Sequence, residues 1–226
     1  MTTISRSRQP TPVRRASRDR VLALLAAFAL GAGGAVFWMT RPDSIEQMAD
    51  RLRAESALRD KAQIRALTEV ARTTRDQLIP VLDGLTRALP AVSTDGVAGP
   101  GVVSVDDVAG WQKAADAAVE GFADPPSGET GTNVARSGLA SAVRQVATAV
   151  DLYAAARTMT GSARTAVTDL AVRQRADALF AWSVGATALD ALNVEAGYGH
   201  QHVFLPTTPG EGALTPDTEP EGSHHP

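Results

Sequence analysis

Leu139, Val143, Val146, Val150 and Tyr153 recur at steps of four and three residues. That period keeps all five on one stripe of an α-helix, whereas a strand would scatter them over both faces. Three other segments carry similar stripes. One holds Ile64, Leu67, Ala71, Thr74, Leu78, Val81 and Leu85, and a second holds Val108, Trp111, Ala115, Ala118 and Phe122. The third holds Val167, Leu170, Ala171, Ala178, Trp182, Leu189 and Leu192, with Asp169, Arg173 and Asp177 at four-residue steps on its outer side. Four such stripes with short connections predict an all-α, up-and-down bundle. Aromatic residues are only 4% of the chain and alanine is abundant, which suits close helix packing and suits a β-sandwich poorly.

Local signals place the boundaries. Pro80 is expected to kink the first stripe and Pro90 to end it. Ser104 with Asp107 reads as a capping box opening the next helix. The Gly- and Pro-rich stretch 124–131 reads as a turn, with Thr132 or Asn133 capping the third helix. Gly161 and Ser162 mark a stop and restart, and Gly197 and Gly199 mark the exit of the fourth helix.

Residues 21–39, VLALLAAFALGAGGAVFWM, contain no charge. As a helix they would extend roughly 28 Å, close to the hydrocarbon thickness of a bilayer. Six arginines precede them against one acid, Asp19, which predicts a cytoplasmic N-terminus and a translocated C-terminus. Ala27, Ala29 and Ala35 offer small residues for signal cleavage, but the apolar run continues past them to Phe37 and Trp38, so an uncleaved signal anchor is expected. Gly31 and Ala35 form a small-xxx-small pair that could let two membrane helices approach as a homodimer. The expected organisation is a basic cytoplasmic arm at 1–20, a transmembrane anchor at 21–40, a stalk at 41–63, a bundle at 64–205 and a disordered acidic, Pro-rich tail at 206–226. The tail has no Lys or Arg and little apolar surface to offset the entropy of ordering.

Charge and composition exclude several functions. Beyond residue 40 there are 16 basic residues against 24 acidic ones, which repels nucleic acid. With no cysteine there is no disulfide, thiolate metal site or cysteine nucleophile. No His-Glu-x-x-His, Gly-x-Ser-x-Gly or phosphate-binding Gly-x-x-x-x-Gly-Lys pattern occurs, nor a pair of Glu-x-x-His motifs of the kind ferritin-like di-iron bundles use, and no resident cofactor is expected. The expected role is therefore a non-enzymatic, single-pass, membrane-anchored module of the cell envelope that binds another envelope protein.

One stretch carries a chemical alternative. GYGHQHVFLP, residues 197–206, sets His200 and His202 two residues apart, the spacing at which an extended segment can aim both imidazoles at one metal ion. A third ligand is sought in Glu195, while His224 and His225 lie far along the tail. The competing reading is a helix exit that packs Tyr198, Val203 and Phe204 onto Trp182 and Leu189 or their neighbours, with the histidines facing water or satisfying local backbone groups. Of the acids Asp151, Asp177, Asp190 and Glu195, most are expected on outer faces.

Overall fold

The computed structural model describes residues 44–89, 103–123, 128–207 and 212–223. Among these residues it is all-helical, with four helices and no strand: α1 (Ser44–Ala88), α2 (Val105–Glu120), α3 (Thr130–Arg157) and α4 (Gly161–Ala196). The expected anchor at 21–40 and the arm before it lie outside the described residues. No described helix is long and apolar enough to cross a membrane.

The chain divides into two units between Glu55 and Ser56. Of the first, the described part is the opening of α1, where Ile45, Met48 and Leu52 are exposed and Asp50 pairs with Arg53 one turn on, at 2.6 Å. The second unit is the bundle. In it α1 buries the whole expected stripe, Ile64, Leu67, Ala71, Thr74, Leu78, Val81 and Leu85. The helix runs unbroken past Pro80 and ends at Ala88, two residues before Pro90. The α3 stripe Leu139, Val143, Val146 and Val150 is fully buried, as are Trp182 and Leu189 of α4.

Each helix runs antiparallel to its neighbour, as paired contacts along their lengths require. Gly84 of α1 lies beside Trp111 of α2, and Thr74 beside Gly121 just past its end. Gln112 donates to Asp151 of α3 at 2.7 Å, and Arg157 at the far end of α3 donates to the Ser104 carbonyl at 2.8 Å. Gly131 faces Leu192 of α4, and Gly138 faces Gly185. Thr68 exchanges hydrogen bonds with Asn193, while Arg175 donates to Thr86, so α4 also runs against α1. Two of these crossings depend on glycine. A Cβ on Gly84 would lie 2.1 Å from the Trp111 ring, and one on Gly185 would lie 2.8 Å from the Leu139 amide nitrogen.

The capping box at Ser104 and Asp107 is present with both reciprocal hydrogen bonds, and the Ser104 hydroxyl and then the Ser104 amide, both donating to the carboxylate, lower the Asp107 pKa. The start of α3 differs from expectation. It begins at Thr130, with Thr132 buried inside the helix, and Asn133 bonds back to both backbone groups of Gly128 instead of capping. Leu170, expected on the inner face of α4, is exposed.

The tail also differs. Residues 212–223, expected to be disordered, lie along the bundle. The Leu214 amide donates to Ser183 Oγ at 2.9 Å, and the Gly222 amide donates to the His200 carbonyl at 2.8 Å. The segment is held mainly by hydrogen bonds to the bundle, with little apolar burial, and composition alone carries no record of such partners.

Candidate metal centre

The site begins with the sequence of α4. Ser183, Ala186, Asp190 and Asn193 follow one another at steps of three and four, and all four are buried. Asp190 therefore lies on an inner face of α4, not an outer one. The helix ends in a Schellman motif. Gly197 takes φ 81°, its amide donates to the Val194 carbonyl at 3.0 Å, and the Tyr198 amide donates to the Asn193 carbonyl at 2.8 Å. Gly199, at φ 71°, completes the reversal. A residue with a Cβ would be strained at either position.

The reversal sends residues 200–205 back over the bundle. Val203 is fully buried and Leu205 nearly so. The Trp182 indole donates to the Val203 carbonyl at 2.8 Å, and Arg75 donates to the His202 carbonyl at 3.2 Å. Val203 and Leu205 are thus the main apolar anchors of this segment, while Phe204 and Tyr198, expected in that role, are only partly buried. The Tyr198 hydroxyl donates to the Lys61 carbonyl at 3.2 Å.

His200 does not face water. It is 5% exposed, and its Nδ1 lies 2.8 Å from Asp190 Oδ2. The other oxygen of Asp190 accepts from the Gln201 amide, which fixes the carboxylate at the base of the segment. Asp217, from the tail, reaches the same point. Its Oδ2 lies 3.5 Å from His200 Nδ1, and its Oδ1 lies 3.4 Å from His202 Nε2. That His202 nitrogen is shielded from solvent and has no hydrogen-bond partner. The two imidazoles stand 5.9 Å apart, and the His202 ring meets Phe204 edge-on. One donor atom from each of Asp190, His200, His202 and Asp217 lies within 4.8 Å of the other three.

The electrostatics favour positive charge at this point. The hydrogen bond to Asp190, which accepts from His200 Nδ1, raises the His200 pKa above its ordinary value of 6.5. Burial opposes the rise, and the charges of Asp190, Asp217 and Glu219 add to it.

A divalent cation fits the same donors. Metal–donor distances of about 2.1 Å in a tetrahedron put the donors roughly 3.4 Å apart. Asp217 comes near that distance from both histidines, though through a different carboxylate oxygen to each, and Asp190 lies closer to His200, at the 2.8 Å of a hydrogen bond. Two imidazoles and two carboxylates suit zinc and its first-row neighbours.

Both expected ligands, His200 and His202, are therefore brought together, and two carboxylates join them. Glu195 is not one of them. It acts on Glu129, whose pKa is raised chiefly by Asp60. His224 and His225 lie outside the described residues. Asp190 was open to detection from its spacing to Ala186 and Asn193. Nothing local to Asp217 marks it as a partner. No family model, no curated protein and no solved structure matches the chain.

Proposed function

We propose that this protein is a membrane-anchored helical bundle that binds a divalent first-row transition metal, zinc foremost, through Asp190, His200, His202 and Asp217. The observation that carries the reading is the convergence of two imidazoles and two carboxylates from three separate stretches of chain, with donor atoms within 4.8 Å of one another. Four protein donors fill a tetrahedral zinc sphere, the arrangement of structural and binding sites; catalytic zinc keeps a position open. This favours a binding role over catalysis.

Calorimetric titration of the chelator-treated chain with zinc is the test. One equivalent should bind, and the double variant His200→Ala, His202→Ala should lose at least about 100-fold in affinity, since even outer-shell changes cost 10–100-fold. Equal affinity in parent and double variant would reduce the pair to ordinary histidines.

The location follows from sequence. Residues 21–40 anchor the chain in a bilayer, with the arginine-rich arm in the cytoplasm and the bundle outside, where it meets an envelope protein partner. The chain should stay with membranes through a carbonate wash. Release of a trimmed, soluble product would remove the anchor from this account.

A further inference from the structure

The donor set is asymmetric. Asp190 belongs to α4, and His200 and His202 follow its cap, so three donors are held by the bundle itself. Asp217 comes from residues 212–223, a stretch in which no residue is fully buried. Its attachments are few. Leu214 donates to Ser183 Oγ, and Glu221 pairs with Arg72 at 2.9 Å. The Gly222 amide donates to the His200 carbonyl, and the His200 amide donates to the Ser223 carbonyl at 3.1 Å. The segment is thus laid directly on the backbone of a ligand residue. A Cβ on Gly199 would lie 2.5 Å from the Gly222 carbonyl oxygen, so the approach requires glycine there.

This segment brings Asp217, Glu219 and Glu221, and no basic residue, to a place where Asp190 already holds a carboxylate. Glu221 is met by Arg72, but Asp217 comes to the Asp190 carboxylate, and a divalent cation seated between those two like charges would favour the approach. Segments with few buried contacts open at low free-energy cost, so a single strong ligand can decide whether they are docked.

Resting on the metal reading above, we infer that residues 212–223 are a strap that a divalent cation closes, with Asp217 as the exchangeable fourth ligand. Metal occupancy then controls whether the C-terminal segment lies on the bundle or is released from it.

Hydrogen exchange on the full chain in detergent, with zinc or with chelator, tests this beside the calorimetric titration. Zinc should slow exchange at Leu214 and Gly222 by about tenfold or more, as expected when a ligand binds only the docked form. The Asp217→Asn chain should still bind zinc through three donors, at least about 10-fold more weakly, since even outer-shell changes cost 10–100-fold, and zinc should no longer protect Leu214 and Gly222. If zinc binds the parent but leaves exchange at those amides unchanged, the strap falls and the metal site stands. Full zinc protection of the tail in Asp217→Asn, at saturating zinc, would likewise overturn the strap. If calorimetry detects no zinc binding at all, both fall together.

Discussion

Asp190 sets the chemistry of His200, and the sign of its effect can be followed through pH. The hydrogen bond to Asp190 is the main reason the His200 pKa is raised, with Asp217 and Glu219 adding to it and His202 standing alongside. A raised folded-state pKa means that the metal-free protein draws its full stabilisation from this pair below pH 6.5 and loses it as pH rises through the folded value. Zinc needs the imidazole without its proton, so zinc affinity should grow over the same interval. Denaturation midpoints of the chelated protein should therefore fall above pH 6.5, while apparent zinc affinity rises. Asp190→Asn should bring the His200 titration, followed by NMR, back toward 6.5. A His200 titration that Asp190→Asn leaves in place would detach the shift from this contact. Trp182→Phe tests a neighbouring contact. Removing the indole donor strands the Val203 carbonyl in the interior, at a cost of about 1–3 kcal/mol by chemical denaturation.

At the scale of whole elements, the glycines separate two effects that sequence alone merges. Gly185 lies where α4 meets the α3 backbone, so Gly185→Ala must push two helices apart. Overpacking of this kind costs about 1–3 kcal/mol and outweighs the better helix propensity of alanine. Gly110, in α2, has nothing within 4 Å of its missing Cβ, so Gly110→Ala should stabilise by about 0.5–1 kcal/mol. Urea midpoints of the two variants should move in opposite directions. Helix ends were legible wherever the signal was local, as at Ser104 with Asp107 and at Gly197. The start of α3 was not, because Asn133 can serve a cap or a preceding turn equally well, and only the position of Gly128 decides between them.

Across the whole molecule, the core was the most legible part, because a helical stripe is written in consecutive residues. The site was half legible. His200 and His202 stand out by rarity and spacing. Asp190 is harder to see because the comparable acids Asp151, Asp177 and Glu195 are exposed, although its spacing to Ala186 and Asn193 points inward. Asp217 was illegible because its position depends on partners far away in sequence: Glu221 in the same segment pairs with Arg72, 149 residues earlier. A metal that ties α4, the histidine segment and the tail together should stabilise the folded bundle as a unit. At free zinc about 100 times Kd, mass action predicts a gain of about 2.7 kcal/mol. Denaturation with and without zinc should show that gain in the parent, and the His200→Ala, His202→Ala chain should lack it.

The hydrogen bond from Trp182 to the Val203 carbonyl has an optical consequence. It fixes an indole, wholly removed from water, to the residue that follows His202. Trp111, by contrast, is only partly buried, against α1 and Tyr153. Trp182 should therefore emit at shorter wavelength than an indole in water, and copper, a paramagnetic ion, should quench it on binding beside His202. The molecule thus carries a built-in fluorescent reporter of its own site, one that needs no dye and no label.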